Sequence, residues 1–327
     1  MRRREFIGGL GGTAMTWPVA ARSQQAKVPI IGFLSSASPT GWDNYLAAFR
    51  EGLREHGFVE GSTIRIEYRW ANGNLDRLSA LAVDLVSLQV AAVVASGGPA
   101  PAIAGKAASS TIPIVFTGVA NPVELGLVAS LNLLASNLTG VSTQTTEVLP
   151  KKIELLSALV PKAEVFGLLV NPTNANIAEE ARIANAAVVA RGKSLILVEA
   201  RSEEDFGPAF DALITQSCDA LILATDVLFN NHRNTILALV DRRRIPAMYG
   251  WPEFPRAGGM ASYGSDLAEQ YRLAGIFIGR ILKGERPQDL PVMQPTKFNF
   301  VINLKTMKAL NIEAPANIVA LADEVIE

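Results

Sequence analysis

The chain has 327 residues, 49% of them hydrophobic and 19% charged, with a formal net charge of −1. That length suits two domains, that composition excludes a disordered chain, and the near-neutral charge without a basic patch excludes a nucleic-acid binder. The single cysteine, Cys218, excludes an internal disulfide and a cysteine metal cluster, and neither His56 nor His232 has a second histidine at ligand spacing.

Arg2-Arg3-Arg4, then Glu5-Phe6-Ile7, then a Gly-rich and weakly apolar stretch to Ala21 read as a signal peptide over 1–21. Val19-Ala20-Ala21 offers small side chains for cleavage, and Arg3-Arg4-x-Phe6-Ile7 resembles the twin-arginine export signature. The mature chain is expected to start near Arg22. Without the three arginines and one glutamate of that segment its net charge falls from −1 to −3. No cysteine follows the apolar stretch, so no lipoprotein anchor is expected. No later segment holds roughly 18 charge-free apolar residues, so the mature chain is not expected to insert in a membrane.

Beyond the leader, short apolar runs alternate with amphipathic helical patterns, which predicts parallel sheets with crossover helices. The first half predicts strand 28–34, helix 42–56, strand 63–69, helix 75–87, strand 90–95, helix 101–108 and strand 114–117. In its first helix Leu46, Phe49 and Leu53 recur on one face, and Glu55-His56-Gly57 is a helix-end pattern. The second half predicts helix 150–160, strand 165–170, helix 177–190, strand 194–199, helix 203–215, strand 220–224, helix 231–242 and strand 247–249.

The halves echo one another in order. Gly32-Phe33-Leu34-Ser35 matches Gly167-Leu168-Leu169-Val170, and Glu55-His56-Gly57 matches Ala190-Arg191-Gly192. Ala92–Ser96 matches Leu221–Thr225, and Thr111-Ile112-Pro113 matches Arg244-Ile245-Pro246. A spacing of roughly 130 residues throughout points to two copies of one sheet topology. The expected architecture is therefore α/β: two doubly wound parallel-sheet lobes joined by a hinge, with a cleft between them. Ligands of open parallel sheets bind beyond the carboxyl ends of the strands.

The residues just after the strands are rich in Ser, Thr, Asn and Gly, which orient a polar ligand without reacting with it. Ser36, Ser96, Gly97 and Gly98 are candidates for an anionic group, because Ser96-Gly97-Gly98 precedes a proline-started helix whose free N–H groups suit a carboxylate. A tight turn needing glycine explains the same residues equally. Ser38 or Thr40 is read as a helix cap. In the second half Asn174 follows a strand, and Asp226 and Glu253 are the acidic candidates for a ligand ammonium or hydroxyl. Asp226 also suits an N-cap, and Glu253 a solvated loop. Trp251 and Trp42 are the large aromatics near the expected cleft, available to stack on a ligand or to pack.

Enzyme signatures are missing. There is no G-x-x-x-x-G-K-[ST] loop and no G-x-S-x-G elbow, and Gly8-Gly9-Leu10-Gly11-Gly12 falls in the leader. The histidines do not fit a Ser-His-Asp arrangement, although a carboxylate pair remains open to acid–base work. No cofactor is expected.

Specific stretches then resemble the ABC-transporter substrate-binding proteins of the tryptophan/tyrosine-type group. They are Ile30–Leu34, Phe49–Phe58, Ile112–Phe116 with Asn121-Pro122-Val123, Asn137–Val141, Tyr263-Gly264-Ser265-Asp266, Ile302-Asn303-Leu304 and Ala309–Ile312. The resemblance covers nearly the whole mature chain. It implies a periplasmic, non-enzymatic protein that closes on a small amino-acid-like ligand and delivers it to an inner-membrane ABC permease. Asn121 and Tyr263 join the implied ligand set; family members carry Asp where Asn121 stands, so a charge is missing here. The implied lobes are 22–141 plus 265–297 and 142–264 plus 298–327, with hinge crossings near 141, 264 and 297. A ligand-sensing receptor with a signalling partner and a periplasmic hydrolase are the alternative readings.

Overall fold

A computed structural model describes residues 28–132 and 136–327; the expected export segment 1–21 lies outside the described residues. The chain opens with β1 (Ile30–Ser35), α1 (Asp43–Glu55), β2 (Arg65–Trp70), α2 (Leu78–Ser87), β3 (Ala92–Ser96), α3 (Pro99–Ala108), β4 (Ile114–Val119) and β5 (Leu138–Ser142). These strands form a parallel sheet in the order β2-β1-β3-β4-β5. The buried β1 and β3 are continuous apolar runs rather than alternating ones, because helices cover both faces of a parallel sheet.

There follow α4 (Leu149–Leu159), β6 (Val165–Val170), α5 (Ile177–Val189), β7 (Ser194–Glu199), α6 (Phe206–Thr215), β8 (Ala220–Leu223), α7 (Val227–Asn231), α8 (Arg233–Arg243), β9 (Ala247–Tyr249), α9 (Glu253–Arg256) and β10 (Ala261–Ser265). The chain ends with α10 (Leu267–Leu282), β11 (Phe298–Asn303), α11 (Leu304–Ala309), α12 (Ala316–Val319) and β12 (Glu324–Ile326). The second sheet runs β12-β11-β10-β9-β8-β6-β7. It departs from the all-parallel expectation at one place, where β11 lies antiparallel to β10. The chain leaves this lobe after β10 and returns as β11, so the two strands are joined without the crossover that parallel neighbours need.

Although it follows β10 in sequence, α10 packs on α1 and on β3, β4 and β5 of the first sheet. The two helices touch backbone to backbone. A Cβ at Gly52 of α1 would lie 1.9 Å from the Arg272 carbonyl oxygen, and one at Gly275 of α10 would lie 2.2 Å from that of Phe49. The chain thus passes between the sheets after β5, after β10 and before β11. The crossings lie together: Ser265 Oγ donates to the Thr143 carbonyl at 3.3 Å, and Ser142 N–H to the Met293 carbonyl at 2.8 Å.

One face of the first sheet packs Leu34, Val93 and Phe116 under α2 and α3. The other face carries Phe33, whose ring meets Phe49, Tyr68 and Trp70 at centroid distances of 5.8, 5.4 and 5.4 Å. Burying such a ring stabilises the fold by about 2 kcal/mol. At the start of α1 the expected Ser38 or Thr40 cap is corrected. The helix begins at Asp43, its cap position is Trp42, and no side chain caps it.

Candidate functional site

The strand tips of both sheets converge on one cavity of about 380 Å³. On the first lobe its wall is the β3–α3 turn. Gly97 and Gly98 sit at φ +87° and +108°, in the region that side chains disfavour, so this turn requires glycine. Pro99 and Pro101 have no N–H, which leaves Gly98 and Ala100 to carry the backbone donors at the start of α3. No side chain caps the helix, and its positive end faces the cavity lined by Gly97, Gly98 and Ala100. Ser36 also lines the cavity, but its hydroxyl donates to the Gly97 carbonyl at 2.5 Å. Its proton is used there, so Ser36 offers the cavity lone pairs.

On the second lobe Asp226 follows β8 and faces the same cavity. Its Oδ1 accepts from Asn171 Nδ2 at 3.1 Å and from the Leu228 N–H at 2.9 Å, capping α7. Its Oδ2 accepts from Asn174 Nδ2 at 2.9 Å. Burial pushes the Asp226 carboxyl above the usual range, opposed by those hydrogen bonds. Asn171 and Asn174 are themselves held by the turn after β6: Asn171 Oδ1 accepts from the Thr173 N–H and hydroxyl, and Asn174 Oδ1 from the Asn176 N–H. The carboxylate is therefore fixed in direction before any ligand arrives.

Trp251, Trp42 and Tyr271 supply aromatic surface. Asp76, after β2 of the first sheet, and Arg201, after β7 of the second, are exposed residues that also line the cavity. Behind the second wall are two buried charges. Lys152 of α4 donates to Thr225 Oγ1 at 3.0 Å, and Thr145 Oγ1 donates to Glu180 Oε1 of α5 at 3.4 Å. Burial pushes the lysine down and the glutamate up, and each partly offsets the other.

Of the residues expected to touch ligand, Ser36, Gly97, Gly98, Asn174, Asp226 and Trp251 line the cavity. Four do not. Ser96 lies fully buried behind Gly97, hydrogen-bonded to the Tyr271 hydroxyl. Asn121 is absent from the cavity lining, and its carbonyl accepts from the Leu125 N–H at 3.1 Å in the turn after β4. Glu253 opens α9 and lies beside Tyr45 of α1 rather than in the cavity. Tyr263 sits in the middle of β10, and the pleat turns its ring onto Phe298 and Phe300 at 6.0 and 6.4 Å.

Thr145, Asp76, Arg201 and Tyr271 were not singled out by the sequence. Asp76 and Arg201 follow the edge strands β2 and β7, so the strand-end rule reaches them once it is applied to edges as well as centres. Among the described residues no group of three or more His, Cys, Asp or Glu is arranged to hold a metal ion. No helix among them is long and apolar enough to cross a membrane.

A family model described as ABC transporter substrate binding protein matches residues 27–326. The chain belongs to that family. This substrate-binding protein is 26% identical over 299 residues to a relative named tyrosine-binding protein from Clostridioides difficile strain R20291, covering 89% of this chain and 84% of the relative. The fold is shared with an ABC domain from Streptococcus pneumonia solved in complex with L-Trp, at TM-score 0.83 and 22% identity, covering 91% of this chain and 99% of the other. It is also shared with the ligand-free, open structure of a substrate-binding protein with adhesive properties from Clostridium difficile. That match has TM-score 0.66 and 23% identity, over 92% of this chain and 99% of the other. The family is one of binding proteins, not of enzymes, and the substrate-binding protein described here has the two α/β lobes that such a role requires.

Proposed function

We propose that this protein captures an amino acid with an aromatic or polar side chain in the interlobe cavity. After export through its leader, it would hand that ligand to an ABC permease from the periplasmic side. The observation that carries the reading is the opposed polarity of the two walls. Backbone donors and the positive end of α3 face the cavity from one lobe, and the Asp226 carboxylate from the other. A zwitterion matches both at once, its carboxylate at Gly98 and Ala100 and its ammonium at Asp226. Trp42, Trp251 and Tyr271 suit an aromatic side chain between them. The names of the tyrosine-binding relative and of the L-Trp complex support that class of ligand.

Because the ligand touches both walls, it favours the closed arrangement by the contacts that only closure makes. Calorimetric titration with L-tyrosine, L-tryptophan, branched amino acids and aromatic acids tests the reading. Saturable binding of at least one aromatic amino acid, accompanied by a raised melting temperature, is expected. Folded protein that binds none of them would remove the amino-acid assignment.

A further inference from the structure

Thr225 and Thr145 line the second-lobe wall, yet each hydroxyl is already engaged from behind by a charge that does not itself line the cavity. Lys152 is 2% exposed and Glu180 3%. An ammonium only donates, so Thr225 Oγ1 must accept from Lys152, and its own proton is left to be given elsewhere. Ionised Glu180 only accepts, so in that state Thr145 gives its proton to Glu180, and its lone pairs are left for the cavity. Gly250 makes the first contact possible, because a Cβ there would lie 2.2 Å from Thr225 Oγ1. Two side chains of identical chemistry are thereby fixed in opposite senses.

We propose that Lys152 and Glu180 are positioning residues that set Thr225 as a hydrogen-bond donor to the ligand carboxylate and Thr145 as an acceptor from the ligand ammonium. The proposal rests on the amino-acid reading above and adds to it the origin of selectivity for the zwitterion. The charges behind the threonines have the matching signs: the cation stands behind the donor, the anion behind the acceptor. Asp226 also acts on Glu180, so the acceptor side of the wall carries two carboxylates.

Other charges nearby are otherwise engaged. α4 packs against α5, α12, β8, β9 and β10. On α5, Glu179 and Arg182 pair with each other at 2.6 Å on the exposed face. Tyr249 of β9 stacks on Phe254, and Tyr263 of β10 on Phe298. Glu199 of β7, beside α5, pairs with Arg201 at 3.7 Å.

The test compares three probes by calorimetry: L-tryptophan, tryptamine, which lacks the carboxylate, and indole-3-propionate, which lacks the ammonium. Thr225→Val is expected to weaken L-tryptophan and indole-3-propionate by roughly tenfold or more and to leave tryptamine unchanged, as loss of a hydrogen bond to a charged group should. Thr145→Val is expected to weaken L-tryptophan and tryptamine and to spare indole-3-propionate. Thr→Ser at either position should restore the wild-type pattern. Lys152→Met combined with Glu180→Gln removes both buried charges together. It should lower the preference for L-tryptophan over both truncated probes while the protein stays folded.

Valine variants that weaken all three probes alike, or serine variants that restore nothing, overturn the proposal without any need for the double variant to fold. A folded double variant with undiminished preference also overturns it. Wild-type protein that binds none of the three probes defeats the amino-acid reading itself, and this proposal with it.

Discussion

Trp42 Nε1 donates to Asn231 Oδ1 across 3.2 Å, tying the start of α1 in one lobe to the end of α7 in the other. The indole is buried against Tyr45 and Tyr271, at centroid distances of 5.1 and 5.6 Å, and also lines the cavity. Separating the lobes breaks this bond, so it stabilises the closed arrangement specifically. Trp42→Phe keeps an aromatic ring and removes the N–H. It should cost closure about 1 kcal/mol, or roughly a fivefold loss of ligand affinity. Small-angle scattering of the ligand-free variant should show a larger radius of gyration than the wild type. Unchanged affinity and radius would separate the bond from closure.

Asp226 caps α7 and, on the proposed reading, also meets the ligand ammonium; one substitution separates the two. Asp226→Ala removes the cap of α7, at a cost of about 1 kcal/mol in stability, and removes the charge offered to a ligand ammonium. Amino-acid affinity should fall roughly tenfold or more, beyond what the modest fall in melting temperature explains. The sign of the pH effect follows from the raised carboxyl. As pH falls, Asp226 takes up its proton earlier than an ordinary aspartate, and the attraction for a still-charged ammonium is lost with it. Calorimetry across the acid range should therefore show affinity declining before ordinary carboxylates titrate. An alanine variant that binds as tightly as wild type would take Asp226 out of the site.

The strands and crossover helices were legible because apolar runs and helical periodicity report burial directly: β6, β7 and α5 fall within a residue or two of their expected limits. The strand-end rule reached Gly97, Asn174 and Asp226 for the same reason, since parallel topology dictates where loops gather. What it could not reach were the groups behind the wall. Lys151-Lys152 and Glu179-Glu180 are each a charged doublet in sequence. In each, one member pairs outside, Lys151 with Glu154 and Glu179 with Arg182, while its neighbour turns in. The signal was present in the period. Leu149, Lys152, Leu156 and Leu159 share one face of α4, and Glu180, Ala184 and Val188 one face of α5. The antiparallel β10–β11 pair was hidden because a whole helix of the other lobe intervenes in sequence.

The contact between α1 and α10 ties the helix that follows β10 to the first lobe, and it depends on two hydrogens. With a Cβ at Gly52 lying 1.9 Å from the Arg272 carbonyl oxygen, Gly52→Ala must push the helices apart. Overpacking of this kind costs about 1–3 kcal/mol, and more where backbone cannot yield. Equilibrium denaturation should show that loss for Gly52→Ala and for Gly275→Ala alike. By contrast, Gly207→Ala on α6, where a Cβ meets nothing within 4 Å, should be neutral or slightly stabilising. Equal behaviour of the three variants would mean that the helix approach is looser than described.

The buried pair behind the threonines leaves a signature in stability that is independent of ligand. Burial lowers Lys152 to about 8 and raises Glu180 to about 7. Each therefore ionises less readily in the fold than in the unfolded chain, where the ordinary values are 10.5 and 4.5. For Glu180 the folded state binds more protons than the unfolded one between those values, so its penalty is absent at low pH and is complete once pH passes 7. For Lys152 the folded state binds fewer, so its penalty is complete below pH 8 and fades as pH climbs toward 10.5. Both penalties act together only between pH 7 and 8. The Lys152→Met, Glu180→Gln double variant carries neither. Its stability relative to wild type should pass through a maximum in that window and decline on both sides, as measured by denaturation at about pH 5, 7.5 and 10. A difference that is flat across that span would mean that both groups ionise in the fold as they do in water. For two groups this deeply buried, that would require their mutual attraction to cancel the cost of burial in full.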